Sequence, residues 1–261
     1  MYPVLWDFGP VKIYSYGAMM ALGFLAAGYF TGLELERAGH RRELASTFLL
    51  WAAAGGLLGA RVLSILNDWR SFLEEPLSFA LSGAGFAWYG GFVGGTLAVT
   101  LAAKKYAVPW TTIVDAAAPG LALGHAIGRI GCELAGDGDW GKPTSLPWAH
   151  SYPNAIVGWE EWTRAAGLPQ DVRVHPAPIY ESLAYLFVFA VLWALRKRSL
   201  PPGARFSLYL VLASAFRFGI EFVRINPPVL LGLSQAQWIS ALLALTGLSS
   251  LAYLGRRRRA A

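Results

Sequence analysis

Apolar residues run along this chain in long blocks separated by charged or turn-rich stretches. Seven blocks stand out, at roughly Tyr16–Leu33, Ser46–Leu66, Trp88–Val108, Ile113–Leu134, Tyr180–Leu195, Phe206–Val223 and Ala236–Leu254. Apolar runs near twenty residues predict helices that cross a membrane. The fourth block is interrupted by Asp115, Pro119, His125 and Arg129. It is kept because its omission would put its two flanking loops on one side, against the charge pattern below. The expected fold is an all-α integral membrane protein of seven transmembrane helices, forming one membrane domain over residues 1–261. The longest connection, 135–179, carries Trp140, Trp148, Trp159 and Trp162 among several prolines. Tryptophans of this kind favour the membrane interface, so this stretch is read as a partly ordered outer-face cap.

Lysine and arginine then set the orientation. Arg37, Arg41, Arg42, Lys104, Lys105, Arg196, Lys197, Arg198, Arg205 and Arg256 to Arg259 fall on one side, thirteen of the 22 basic residues. Lys12, Arg70, Lys142, Arg164 and Arg173 make five on the other. The richer side is expected to be cytoplasmic, which puts the N-terminus outside and the C-terminus inside.

Composition agrees. Hydrophobic residues make up 55% of the 261 and charged ones only 15%, against about a quarter charged in soluble domains. The net charge of +6 is accounted for by the cytoplasmic loops and the "RRRR" tail, as topology determinants and anionic-lipid contacts. No aromatic interleaving or nucleic-acid module accompanies them, so no nucleic-acid partner is expected. A single cysteine excludes an intramolecular disulfide framework and a cysteine-rich zinc site. The opening "MYPVLWDFGPVKIYSYG" lacks a basic region before an apolar stretch, so no cleavable signal peptide is expected.

Charges inside a membrane are costly and usually functional. On this topology Arg61 lies near the outer end of the second segment and Arg129 toward that of the fourth. Arg217, Glu221 and Arg224 share the outer half of the sixth, on one helical face by their spacing of four and three. Tyr16 and Tyr89 begin their segments at the outer face, and His175, Tyr180 and Glu181 enter the fifth at that level. Arg61 either snorkels to headgroups or binds substrate. Glu221 either neutralises its arginines or acts as a catalytic carboxylate. Tyr16 and Tyr180 are either interfacial aromatics or functional. His125 is read first as a satisfied core histidine. Four arginines at one depth nevertheless suggest a phospholipid headgroup site, because guanidinium forks bind phosphate bidentately. Gly90, Gly91, Gly128 and Gly131 allow close helix approach, and glycine near Arg129 also lets backbone amides reach a headgroup.

These motifs together resemble the bacterial prolipoprotein diacylglyceryl transferase family over nearly the whole chain. The resemblance rests on "YSYGAMMALGF", "GARV" with Arg61, "WYGG", "GRIG" with Arg129, "HPAPIYE", "FRFGIEFVR" and "GLSQAQW", in order. It implies transfer of diacylglyceryl from phosphatidylglycerol to the lipobox cysteine of a prolipoprotein signal peptide, giving a thioether and glycerol 1-phosphate, at the outer leaflet of the bacterial inner membrane, with no metal and no cofactor. Arg129 and Arg217 match the family's key arginines, Tyr16 an active-site tyrosine, Arg61 the arginine of the second segment, and Glu221 and Arg224 the polar face of the sixth. The resemblance also directs attention to Asp137 and Gly141, at the end of the "GRIG" motif, and to His175, Tyr180 and Glu181 of "HPAPIYE".

This chain departs from the family at several points. Tyr89 stands where the family has histidine, and Ala213 where it often has tyrosine. Cys132, Ala135 and Asp137 replace two asparagines and a glutamate, with one extra residue before Gly141. Tyr89, His125 and His175 are thus alternatives for the base. Cys132 is either a nucleophile or, as the family chemistry implies, a small buried residue. Asp137 and Asp139 are placed on the less basic outer face. Two other readings stay open: a transferase for another phospholipid or acceptor, and a non-catalytic lipid- or signal-peptide-binding membrane protein.

Overall fold

The computed structural model describes residues 1–9, 12–81 and 87–260. A short antiparallel hairpin, β1 (Val4–Asp7) and β2 (Lys12–Tyr14), precedes the helices. These are α1 (Ser15–Arg37), α2 (Leu44–Asn67), α3 (Trp69–Glu74), α4 (Pro76–Leu81), α5 (Trp88–Lys105), α6 (Trp110–Ala135), α7 (Trp159–Ala165), α8 (Ala177–Ala194), α9 (Ala204–Ile220) and α10 (Gln235–Ala260). Each of the seven apolar blocks is a helix. Among the described residues, five stretches are long and apolar enough to cross a membrane: Ser15–Arg37, Leu44–Asn67, Ala177–Ala194, Ala204–Val223 and Gln235–Arg257. α5 ends in Lys104 and Lys105 and carries four glycines, and α6 carries Asp115, His125, Arg129 and Glu133, which dilutes both. Large apolar side chains face outward along the helices, as at Leu25, Leu58 and Leu242. That outward-facing apolar surface is the pattern of a helical membrane protein.

The chain divides into two compact units, Met1–Thr31 with Ala117–Ala261, and Gly32–Ala116. In the second, α2 and α5 pack through glycine. A Cβ on Gly90 would collide with the Gly59 carbonyl oxygen, and one on Gly95 would lie 3.2 Å from Ala52 O. Small residues let helix backbones touch, so van der Waals packing replaces the hydrophobic drive that lipid removes. Leu35, Phe48, Ala102, Val108 and Ile113 form the core of this unit.

In the first unit, α1 meets α6 along another small-residue seam. A Cβ on Gly23 would stand 2.9 Å from Gly124 O, and one on Gly131 2.9 Å from Met19 Cβ. The Ser182 hydroxyl donates to Ala126 O at 2.9 Å and pins α8 to α6. Ala118, Ala122, Val188 and Leu192 fill the space between, with Phe189, Phe206 and Phe216 against them. Residues after α6 build a cap with its own aromatic core of Trp140, Tyr152, Trp159 and Val174. The hairpin is tied in by Tyr2 N–H donating to Leu134 O at 3.0 Å.

Candidate active site

The ends of α6, α8 and α9 bring the polar residues of the first unit into one ion cluster. Glu181 sits at its centre, fully buried one turn into α8. Its Oε2 lies 2.7 Å from Arg129 Nε, and its Oε1 accepts from Arg224 Nη1 at 3.1 Å. Arg217 Nη1 stands 3.7 Å from Glu181 Oε1 and is ion-paired with Glu221 Oε2. A buried carboxylate among three guanidinium groups is compensated several times over, which such a charge requires.

Arg217 and Glu221 keep the one-turn spacing read from the sequence. The helix does not continue through Arg224, however. Glu221–Val223 forms a 3-10 turn, and Arg224 has extended backbone at φ −83° and ψ 160°. Arg224 therefore reaches the cluster from beyond the helix end, in an isolated bridge with Gly141.

Asp139 supplies the connection that sequence reasoning did not find. Its carboxylate bridges two arginines, taking Arg129 Nη1 on one oxygen and Arg224 Nη2 on the other. Arg224 Nη1 also donates to the Asp139 backbone oxygen at 3.1 Å. The loop turns inward because Gly136 and Gly138 adopt φ of +64° and +93°, the left-handed region that glycine enters without strain. The next residue, Trp140, is buried in the cap core. Burial would raise the Asp139 pKa, but the guanidinium groups of Arg224 and Arg129 outweigh it and hold the carboxyl below its usual range. Asp137, the residue singled out from sequence, accepts the Asp139 N–H at 3.4 Å and hydrogen-bonds the Cys132 thiol, but among the described residues it pairs with no arginine.

The arginines differ in what they have left to offer. Both Nη atoms of Arg224 are committed to Asp139 and Glu181, and its buried Nε lies 3.4 Å from Glu221 Oε2. Arg129 uses Nε on Glu181 and on His125 Nε2 at 3.3 Å, and Nη1 on Asp139 and Cys132 Sγ at 3.7 Å. Among the described residues its Nη2 has no partner. Among the described residues Arg217 pairs only through Nη1, which leaves the Nε–Nη2 edge open. That edge is the geometry that grips a phosphate bidentately. Cys132 is buried beside Arg129. Its sulfur lies within 4.8 Å of ligand atoms of Asp137 and Asp139. With both Asp139 oxygens taken by arginines, this set is part of the ion network rather than a cation cradle.

Around the cluster, Gly128 and Gly131 keep α6 close to α1, where Tyr16 begins the helix half-exposed. Gly141 N–H donates to His175 O at 2.9 Å, and a Cβ there would stand 2.7 Å from His175 Cβ. His175 Nδ1 lies 3.1 Å from the Tyr180 hydroxyl, which accepts from Trp148 Nε1 at 2.7 Å. These residues knit the cap to α8. His125 stacks on Tyr185 with ring centroids 3.7 Å apart. A further network in the cap was not anticipated: Glu133 accepts from Tyr152 at 2.8 Å and lies 2.7 Å from His150. The hydrogen bond to Glu133 raises the His150 pKa, while burial and Glu133 together raise that of Tyr152. Arg61, Tyr89, Gly90 and Gly91 belong to the other unit. There Ala87 N–H donates to Ala60 O at 3.2 Å, so Arg61 and Tyr89 come to the same end of the α2–α5 pair.

The chain that carries this cluster matches a known family along nearly its whole length. Residues 3–253 match the family model described as prolipoprotein diacylglyceryl transferase. The chain belongs to that family. It is 34% identical to a phosphatidylglycerol–prolipoprotein diacylglyceryl transferase of Clostridium tetani, over 95% of this chain and 96% of that one. It is 33% identical to the enzyme of that name in Trichormus variabilis, over 98% and 91%. Another of that name, from Neisseria meningitidis, is 31% identical over 98% and 97%. The match to these transferases runs through the hairpin, the cap and the helices alike, so it covers every residue of the ion cluster.

Proposed function

We propose that this protein is a phosphatidylglycerol–prolipoprotein diacylglyceryl transferase. The observation that carries the reading is the family match over residues 3–253 together with the open guanidinium edge of Arg217 beside Arg129. In the reaction the prolipoprotein thiol loses its proton and the thiolate attacks the glyceryl carbon that carries the phosphate. The carbon–oxygen bond breaks, a thioether forms, and glycerol 1-phosphate leaves with the bonding pair on its phosphate oxygen. Thiolate is the nucleophilic form, and charge growing on the departing phosphate is what prepositioned donors stabilise. Arg217 grips the phosphate through Nε and Nη2, and Arg129 adds Nη2. Glu181, Glu221 and Arg224 hold those two guanidinium groups in place, and Asp139 fixes Arg129 to Arg224. Tyr89, in the other unit, stands where the family has histidine and is the base candidate on the family resemblance, with His125 and His175 as the alternatives. Tyr16 lies in the unit that holds the cluster, and the substrate-binding roles of Arg61, Gly90 and Gly91, in the other unit, rest on the family resemblance alone.

The acceptor is the lipobox cysteine that follows the signal segment of the precursor. The protein forms one membrane domain of seven spans in the bacterial cytoplasmic membrane. Its N-terminus is outside, its C-terminus inside, and the site faces the outer leaflet beneath the 135–179 cap. The thirteen-to-five bias of basic residues supports this orientation. The test mixes purified protein with phosphatidylglycerol and a lipobox peptide and looks for the diacylglyceryl thioether by mass spectrometry. Phosphoglycerol release without a peptide adduct would assign a different acceptor, and neither product would refute the reading.

A further inference from the structure

The connection between α9 and α10 is built as a rigid apolar prong. Leu230 and Leu233 pair across a tight turn, with Leu233 N–H donating to Leu230 O at 3.0 Å and Val229 N–H to Leu233 O at 2.8 Å. The two tip residues, Leu231 and Gly232, have φ of +52° and +74°. Both positive values make this the two-residue turn that favours asparagine and glycine. Leucine at the first position is held in a conformation that disfavours it, and its side chain is 81% exposed. Val229 and Leu230 beside it are 70% and 59% exposed. Trp238 Nε1 donates to Leu230 O at 3.1 Å and braces the turn from α10. From Ile225 through Gly255 the chain has no charged residue.

The feet of the prong reach the ion cluster. Asn226 Nδ2 donates to Glu221 Oε1 at 2.8 Å, and Ser234 Oγ donates to the same oxygen at 2.6 Å. Glu221 Oε2 holds Arg217. Ser234 is itself fixed as the cap of α10: Gln237 N–H donates to Ser234 Oγ at 3.3 Å, and Ser234 N–H donates to Gln237 Oε1 at 2.9 Å. This reciprocal capping box makes the second foot a stiff one.

We propose that the hairpin Pro227–Leu233 inserts into the adjoining lipid leaflet and that its two feet hold the Glu221–Arg217 pair at headgroup depth. The occupant is lipid because the prong projects Val229, Leu230 and Leu231 rather than forming a groove, carries no charge, and continues the outward-facing leucines of α10, including Leu242 and Leu245. Apolar side chains at the end of a spanning helix gain most from the boundary between headgroups and acyl chains. The insertion stands alone; its link to phosphate depth rests on the transferase reading.

The test reconstitutes the full chain in phosphatidylglycerol-containing nanodiscs. Leu231→Cys carries an environment-sensitive fluorophore, and the unmodified chain, with its buried Cys132, gives the labelling background. Strong quenching by nitroxide lipids and weak quenching by aqueous iodide is the expected result. Dominant iodide quenching overturns the insertion, as does lipid quenching that appears only after a lipobox peptide is added. In parallel, a folded L230K/L231K variant is expected to raise the KM for phosphatidylglycerol about fivefold in nanodiscs with kcat little changed, as for lost uniform binding. An unchanged KM with the probe still in lipid overturns the coupling to Arg217. An unmodified chain that transfers no lipid refutes the transferase reading and leaves insertion to be decided by the quenching alone.

Discussion

Asp139→Asn against Asp137→Asn is the sharpest test of how this site is assembled. Asp139 bridges Arg129 and Arg224, whereas Asp137 accepts the Asp139 N–H at 3.4 Å and bonds the Cys132 thiol, with no arginine partner among the described residues. A hydrogen bond to a charged group contributes about 1.5–3 kcal/mol, and asparagine can keep one acceptor but not the charge. The Asp139 side chain is 28% exposed, so solvent screens part of the loss, and about 2 kcal/mol is a reasonable total. If that loss falls on the transition state, kcat/KM drops roughly thirtyfold, since about 1.4 kcal/mol is tenfold in rate. Asp137→Asn keeps its single acceptor and is expected to stay within about threefold of the unmodified protein. The assay is the initial rate of thioether formation on a lipobox peptide, with phosphatidylglycerol varied in nanodiscs. The reasoning fails if Asp137→Asn is the damaged variant and Asp139→Asn is not.

Other outcomes follow from the same geometry. Arg217→Lys removes the open Nε–Nη2 edge while keeping the charge, and is expected to lower kcat/KM by about a hundredfold because a point charge does not replace a bidentate fork; a rate near that of the unmodified protein would remove Arg217 from the phosphate site. Gly90→Ala drives a methyl group into the Gly59 carbonyl and is expected to destabilise the α2–α5 pair by roughly 1–3 kcal/mol, seen as a lower thermal midpoint in detergent; an unshifted midpoint would contradict the close packing. His150 has a raised pKa in the folded protein, so its contribution to cap stability is full below the unfolded value of about 6.5 and is lost as pH rises through the folded value. Thermal midpoints should therefore fall on going alkaline, and His150→Gln should flatten that dependence; an identical slope in the variant would show that another group is responsible. Asp139 has the opposite sign. Its lowered pKa gives a contribution present above the unfolded value of about 3.9 and lost as acid is added through the folded one, so Asp139→Asn should lower the thermal midpoint near neutral pH and weaken its fall in acid; an unchanged acid limb would assign that fall to another group.

Much of this was legible in the one-dimensional pattern. The block read as Tyr16–Leu33 is α1 at Ser15–Arg37, and the one read as Tyr180–Leu195 is α8 at Ala177–Ala194. Long apolar runs announce themselves because their signal is summed over many residues. Strands β1 and β2 escaped because four and three residues hold too little periodicity. Arg129, Arg217 and Glu181 were legible as charges where lipid makes charge costly. Asp139 was not, because its role depends on two left-handed glycines and on the burial of Trp140, none of which spacing records. The extra residue in "GRIGCELAGDGDWG" made the register ambiguous, and the family pattern drew attention to Asp137 instead. Ser234 was within reach, since "SQAQ" before an apolar run is a capping-box signature, but its reach back to Glu221 is a tertiary fact.

The position of Trp140 directly after Asp139 has a genetic consequence. Trp140 is held by Tyr152, Trp159 and Trp162, so the aromatic packing of the cap also sets where the bridging carboxylate points. Random mutagenesis scored only for lost lipid transfer should therefore return substitutions at Trp159 and Tyr152 beside those at Arg129. Suppressors of such cap lesions should arise in the aromatic cluster, where restored packing brings the carboxylate back, and not among the arginines.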